Sequence, residues 1–333
     1  MEGISFAFDW EVRLMETLQS HLGSAGTVAA SIMTMFGEEL VLIAVLGFLY
    51  WCWDKKAGQR VGLNIITGII LNPMLKNILL RRRPYFDHEG IKCLKPVDKH
   101  ADIYDITAQG YSFPSGHSMN STILYGSLPW ALSGKDMQAG TYADKKSLPA
   151  DPAVIRQSRV RRLLWAAAFV LPLLVGISRV LLGVHYPTDV LTGWICGAAV
   201  TLLISYLQSR VRRQGILRLV LFLLACSGIL YCRTSDYFTA LGIFAGFITA
   251  VPFEERFVKF KETRQPVRML LRVAGGFVLY FALNTLLKLP FSAEFLAQPV
   301  LPALLIRTLR YMIVIFVLLG VYPIIFRKDG KAS

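Results

Sequence analysis

Long apolar runs broken by short clusters of charge set the pattern of this chain. Val61–Leu80, Leu163–Leu182, Ile216–Cys232, Val267–Leu287 and Ala303–Phe326 each approach the ~20 residues that a helix needs to cross a ~30 Å hydrocarbon layer. Lipid tolerates no unpaired backbone, so such segments are read as helices. The pattern predicts an all-α, polytopic membrane helix bundle with nine helices, near 27–53, 61–80, 117–132, 163–182, 187–207, 216–232, 237–253, 267–288 and 303–326. The first stretch differs. Trp10, Leu14, Leu18 and Leu22 fall on one helical face after Asp9 as N-cap, which suits either a helix lying in the membrane interface or an ordinary packing helix. Three sections are expected: an interfacial segment 1–26, a core 27–210, and a C-terminal extension 211–333.

Composition supports lipid as the main solvent: 54 % of the 333 residues are hydrophobic and 17 % charged, against about 45–50 % and about 25 % in soluble domains. Met1-Glu2-Gly3 carries no basic stretch and Asp9, Glu11 and Glu16 follow, so no cleaved signal is expected. Five scattered cysteines show neither zinc spacing nor a disulfide framework. The net charge of +14 does not indicate nucleic acid, because Lys and Arg gather in the connections between apolar segments. Alternate connections hold twenty-two Lys and Arg on one side and nine on the other. The positive-inside rule then puts the N-terminus outside and the C-terminus inside, with the plasma membrane the expected location.

That topology carries three polar strings to the outer face. Lys76 precedes Arg83-Pro84 by two helical turns, so both cations are expected on one face of the second helix, with Arg83 at its end and its guanidinium available for phosphoryl oxygens. Pro114-Ser115-Gly116-His117 opens the third helix, where the amides of Ser115 and Gly116 are expected among the unpaired donors of a helix start. Ser115 either adds a hydroxyl donor or acts as a cap; His117 is placed to give a proton to a leaving oxygen. In the third string Arg179 adds a cation, and His185 stands four residues before Asp189, a carboxylate able to fix one imidazole nitrogen and leave the other nucleophilic. The residues suit a phosphohistidine mechanism: His185 attacks, the cations neutralise the phosphoryl oxygens, and His117 acts as acid and then base. No acidic cluster fit for Mg²⁺ accompanies them, so no metal and no cofactor is expected.

These strings, Lys-(six)-Arg-Pro, Pro-Ser-Gly-His and Ser-Arg-(five)-His-(three)-Asp, resemble the signature of the type 2 phosphatidic acid phosphatase superfamily, with every signature position filled. The resemblance covers about residues 27–210. It implies a six-helix phosphatase-like core, a metal-independent phosphohistidine mechanism, and roles for Lys76, Arg83, Ser115, Gly116, His117, Arg179, His185 and Asp189 as described. A pocket at the ends of membrane helices suits a membrane lipid as substrate: polyprenyl pyrophosphate, phosphatidic acid, phosphatidylglycerophosphate or a sphingoid-base phosphate. The four further helices look like the longer build of sphingosine-phosphate phosphatases or glucose-6-phosphatase. A phosphotransferase, a hydrolase of soluble phosphate esters and a transporter stand as alternatives.

Some features stand outside this scheme. The connection 85–113 is long, rich in Asp, His and Glu, and reads as a solvated, headgroup-facing loop or lid, with a metal site as the lesser alternative. Arg307 and Arg310, one turn apart in the last span, are costly in lipid and are candidates either to steer an anionic headgroup or to snorkel at the interface. The stretch 133–159 reads as a cytoplasmic loop.

Overall fold

The computed structural model describes residues 3–132 and 152–331, side chains at 152–157 and 327–331 excepted. Helices dominate, and among the described residues the single element of β pairing is a parallel bridge between Ile4 and Arg81. We number the main helices α1 (Asp9–Met35), α2 (Glu39–Phe48), α3 (Lys55–Leu79), α4 (Gly116–Leu132), α5 (Pro152–Leu181), α6 (Pro187–Arg210), α7 (Gln214–Cys226), α8 (Ser235–Phe253), α9 (Pro266–Leu286) and α10 (Leu301–Phe316).

Every expected span is helical, yet seven stretches are long and apolar enough to cross a membrane: Asp9–Trp53, Lys55–Leu79, Ser158–Leu181, Pro187–Arg210, Ser235–Val258, Pro266–Leu286 and Leu301–Phe326. The other two are shorter, α4 with 17 residues and the helical stretch Gln214–Leu230. The expected helix 27–53 is interrupted at 36–38, where α1 ends and α2 begins, and α1 itself bends at Gly23, whose φ of 58° leaves the helical region. Of the stretch read as a loop over 133–159, residues 133–151 lie outside the described residues, and from Pro152 the chain is already in α5. Large apolar side chains such as Phe169, Ile195, Leu270 and Val278 point outward, as a lipid-facing surface requires.

The chain forms two compact units, one of residues 1–42 and 79–205, the other of 43–78 and 206–333. In the first, α5 packs against α1 and α4. Its α6 meets α4 at Gly193 and Gly197: a Cβ on Gly193 would stand 2.7 Å from the Ser115 carbonyl oxygen, and one on Gly197 2.7 Å from that of Met119. Small residues four apart let the two backbones touch, the usual way helices associate where lipid removes the hydrophobic drive. The second unit repeats the device with Gly242 and Gly246 of α8 against Thr308 and Met312 at and beside the middle of α10. Its core gathers Tyr50, Trp51, Tyr280, Val314 and Leu318, and holds Arg272, which donates to the carbonyls of Trp51 (2.6 Å) and Lys261 (3.0 Å).

Candidate active site

The candidate nucleophile sits in the turn between α5 and α6. Gly183 takes a φ of 74°, a left-handed conformation that glycine adopts without strain. Leu182, Val184 and Tyr186 are buried around it, and Gln19 of α1 clamps the turn by donating to the carbonyls of Leu181 (3.1 Å) and Lys92 (2.9 Å). Pro187 then starts α6 and places Asp189 in its first turn. His185 is buried, with its Nδ1 3.4 Å from Asp189 Oδ2. The same Oδ2 accepts from the Tyr186 amide at 2.8 Å.

Asp189 Oδ1 is taken by a residue the motifs do not include. Arg81, fully buried, donates from Nη1 to Asp189 Oδ1 (2.7 Å) and Thr188 Oγ1 (2.7 Å), from Nη2 to Glu11 Oε2 (2.9 Å), and from Nε to the Phe6 carbonyl (2.9 Å). Its guanidinium lies 3.9 Å from the Tyr186 ring centroid and 4.4 Å from that of Phe6. Glu11, also buried, accepts through Oε1 from the Thr188 amide (2.9 Å) and hydroxyl (2.6 Å), and through Oε2 from the Phe8 amide (3.2 Å). One arginine thus joins the N-terminal segment to the carboxylate behind His185. It also corrects two expectations. Phe8, not Asp9, is the N-cap of α1, with Glu11 reaching back to its amide. And α3 stops at Leu79, because Leu80 turns left-handed (φ 50°) and residues 80–82 pair with Ile4 instead, so Lys76 and Arg83 do not share a helix face. Lys76 lies in the last turn of α3, in the second unit, whereas Arg83 and the remaining catalytic and phosphate-binding candidates belong to the first.

Arg83 caps a short helical turn, Pro84–Asp87, and is buried. Its guanidinium is not left at a bare helix end: Nε donates to the carbonyls of Gln109 (2.9 Å) and Gly110 (3.0 Å), and Nη1 to that of Val184 (2.9 Å), next to His185. Three carbonyls therefore fix its plane. Arg179 is buried close enough to Arg83 to feel its like charge; Nη1 donates to Thr34 Oγ1 at 3.0 Å, and Nε has no partner among the described residues. Burial holds the Tyr85 phenol well above its ordinary range, though Arg83 and Arg179 pull the other way.

At the start of α4 one further expectation is corrected. The Ser115 amide is spent on the Asp189 carbonyl oxygen at 3.0 Å, so it does not belong to the unpaired donors of the helix start. Its hydroxyl accepts from the Ser118 amide (3.4 Å) and hydroxyl (2.9 Å), the capping arrangement. The lost anion donor is a structural tie, since it pins the Asp189 turn of α6 to the start of α4. Gly116 follows as the first helical residue, and the half-buried His117 packs under the turn after α1, where a Cβ on Gly37 would stand 3.1 Å from the His117 carbonyl oxygen.

The loop 85–113 is folded around Gln109. This buried side chain donates to the carbonyls of Asp98 (2.8 Å) and Asp102 (3.3 Å) and accepts from the Val97 amide (2.9 Å). Asp98, Asp102 and Asp105 each bind a backbone amide two residues on. Among the described residues no group of three or more His, Cys, Asp and Glu is placed to hold a metal ion.

The architecture defines a multi-pass helical membrane protein in which buried arginines and the His185 imidazole gather where helices end. Residues 58–213 match the PAP2 superfamily, and residues 238–333 match the transmembrane extension of PAP2 superfamily phosphatases. A phosphatidylglycerophosphatase B of Bacillus subtilis (strain 168) is 31 % identical over 178 residues, 52 % of this chain and 70 % of that protein. An undecaprenyl-diphosphatase of Sulfolobus acidocaldarius is 24 % identical over 178 residues, 53 % of this chain and 68 % of its own. The crystal structure of a transmembrane PAP2 type phosphatidylglycerolphosphate phosphatase from Bacillus subtilis superposes with a TM-score of 0.44 at 25 % identity, covering 61 % of this chain and 87 % of that one. The chain belongs to the PAP2 superfamily. It is a membrane phosphatase.

Proposed function

We propose that this phosphatase hydrolyses the phosphate monoester of a membrane lipid through a phosphohistidine on His185, without a metal. The observation that carries the reading is the buried imidazole with Asp189 behind its Nδ1 and Arg83 tied to the adjoining Val184 carbonyl. Asp189 holds the proton on Nδ1, and the Nε2 lone pair attacks phosphorus. As the P–N bond forms, the bond from phosphorus to the leaving oxygen breaks, and His117 gives that oxygen its proton. Water then loses a proton to His117, attacks phosphorus and breaks the P–N bond, returning the electron pair to Nε2 and releasing phosphate. Arg83 and Arg179, with Lys76 as the sequence motif assigns it, carry the negative charge of the phosphoryl oxygens; the Gly116 amide and the Ser115 hydroxyl add hydrogen bonds.

The lipid class follows from setting and kinship. Arg179 and Asp189 stand in helices long and apolar enough to cross a membrane, and the Bacillus relative is named for phosphatidylglycerophosphate. A diphosphate substrate is the second reading, favoured by the relative named for undecaprenyl diphosphate. We further assign the motifs to the extracytoplasmic face of the plasma membrane, from the charge asymmetry of the connections. The segment 1–26 is assigned to the interface, with Phe8, Trp10 and Leu14 exposed, ahead of a phosphatase core at 27–210 and the extension at 211–333. The test is phosphate release from a purified panel of phosphatidylglycerophosphate, phosphatidic acid, polyprenyl diphosphate and glucose 6-phosphate, with His185→Ala as blank. Release from a lipid monoester ahead of glucose 6-phosphate is expected; preference for the sugar phosphate would refute the lipid assignment.

A further inference from the structure

The extension holds three cations that form no ion pair among the described residues. Arg307 and Arg310 lie one turn apart on α10, and Lys288 follows the end of α9 by two residues. Arg310 is 5 % exposed. Its Nη2 donates to the side-chain oxygen (3.1 Å) and the carbonyl (3.4 Å) of Asn284, while its buried Nε has no partner among the described residues. None of the described ion pairs involves Lys288, Arg307 or Arg310. Arg307 is half-buried and Lys288 exposed; partial burial first, and then the charges of Arg310 and Arg307, hold the Lys288 amine below its ordinary value.

Such an arrangement is unstable by itself. A charge at membrane depth is expensive, a buried one without a counter-charge more so, and here like charges also repel. A neutral amide does not balance them. An exogenous anion does, and the groups suit phosphate: two guanidiniums offer planar forks, Lys288 a point charge, and Asn284 an amide donor. The surroundings suit an anion carrying hydrocarbon, because Leu286, Leu289, Leu305 and Leu309 on the same helices and their connection are all exposed. We propose that Asn284, Lys288, Arg307 and Arg310 form a second anion site, built wholly within the second unit, which takes the phosphate headgroup of a membrane phospholipid. It does not depend on the phosphohistidine reading, since none of its residues serves that chemistry.

The experiment is native mass spectrometry of the full-length, delipidated protein in detergent, titrated separately with phosphatidylglycerol, phosphatidylcholine and inorganic phosphate. The wild type is expected to retain phosphatidylglycerol over phosphatidylcholine, and the variant combining Lys288→Gln, Arg307→Gln and Arg310→Gln to bind phosphatidylglycerol at least roughly tenfold more weakly. A control that removes three exposed charges, Lys56→Gln with Arg212→Gln and Lys261→Gln, is expected to bind like the wild type. Equal binding by wild type and cluster variant overturns the site. Binding of inorganic phosphate in preference to the lipid overturns the headgroup assignment. Should the triple variant fail to fold, Arg307→Gln alone, at a half-buried position, is expected to weaken phosphatidylglycerol binding by about fivefold, and no change there overturns the proposal.

Discussion

Removing the Arg81 guanidinium would leave Glu11 and Asp189 as two buried carboxylates without their shared cation. Breaking a buried pair in this way costs about 3–5 kcal/mol, so Arg81→Met is expected to lower the melting temperature sharply, and an unshifted melt would show that the network carries no stability. Arg81→Lys retains charge but not the fork that grips Asp189, Thr188 and Glu11 together. Loss of the Asp189 orientation is expected to reduce kcat by about a hundredfold with KM little changed, as small misplacements of catalytic groups do; a change in KM alone would assign Arg81 to substrate binding instead. The pairing of His185 with Asp189 was legible because the two stand four residues apart. Arg81 was not, since its partner Glu11 is seventy residues away and reads locally as one more polar position on an amphipathic helix. Ser115 failed differently: a helix start predicts an unpaired amide, and only the approach of α6 supplies the Asp189 carbonyl that takes it.

At the scale of elements, that approach depends on Gly193. A Cβ there meets backbone at Ser115, which has no flexible end to move aside. Gly193→Ala is expected to cost about 1–3 kcal/mol of stability and to reduce turnover by displacing Asp189 from α4; a stable, fully active Gly193→Ala protein would contradict the packing argument. Gly193 and Gly197, like Gly242 and Gly246, stand four apart in the sequence, so the crossings had a readable signal in spacing, whereas their partners on α4 and α10 did not. The loop 85–113 was legible as an unusually long connection but not as a knot, because Gln109 organises it through backbone carbonyls that sequence does not mark. Asp105 caps the short turn Ile106–Gln109 whose last carbonyl receives Arg83. Its bonds from the Thr107 hydroxyl and amide hold the carboxylate below its ordinary value of 3.8. A depressed carboxylate stabilises above its unfolded value and loses that effect as pH falls through the folded one. Hydrogen exchange across residues 105–110 is therefore expected to lose protection on acidification below the ordinary aspartate range, and Asp105→Asn to abolish the pH dependence; protection independent of pH in the wild type would remove Asp105 as the cap.

For the whole molecule, the apolar runs gave helices at every expected position, because span length and hydropathy are local properties. What they did not give was the partition: the chain passes between its two units within α2, at the end of α3 and within α6, so contiguous sections of sequence are not the compact pieces. That partition rests on tertiary packing, which a run of leucines does not specify. With charge at phosphorus neutralised by arginine and lysine, phosphate release is expected to persist in EDTA at the untreated rate; abolition by EDTA and recovery with a divalent cation would require a metal. The phosphohistidine is tested by rapid acid-free quenching of the enzyme during turnover of a lipid phosphate, followed by peptide mapping under conditions that preserve phosphoramidates. A transient phosphoryl group is expected on His185 in the wild type, and none in His185→Ala. A phosphoryl group on another residue, or turnover by His185→Ala at the wild-type rate, would contradict it.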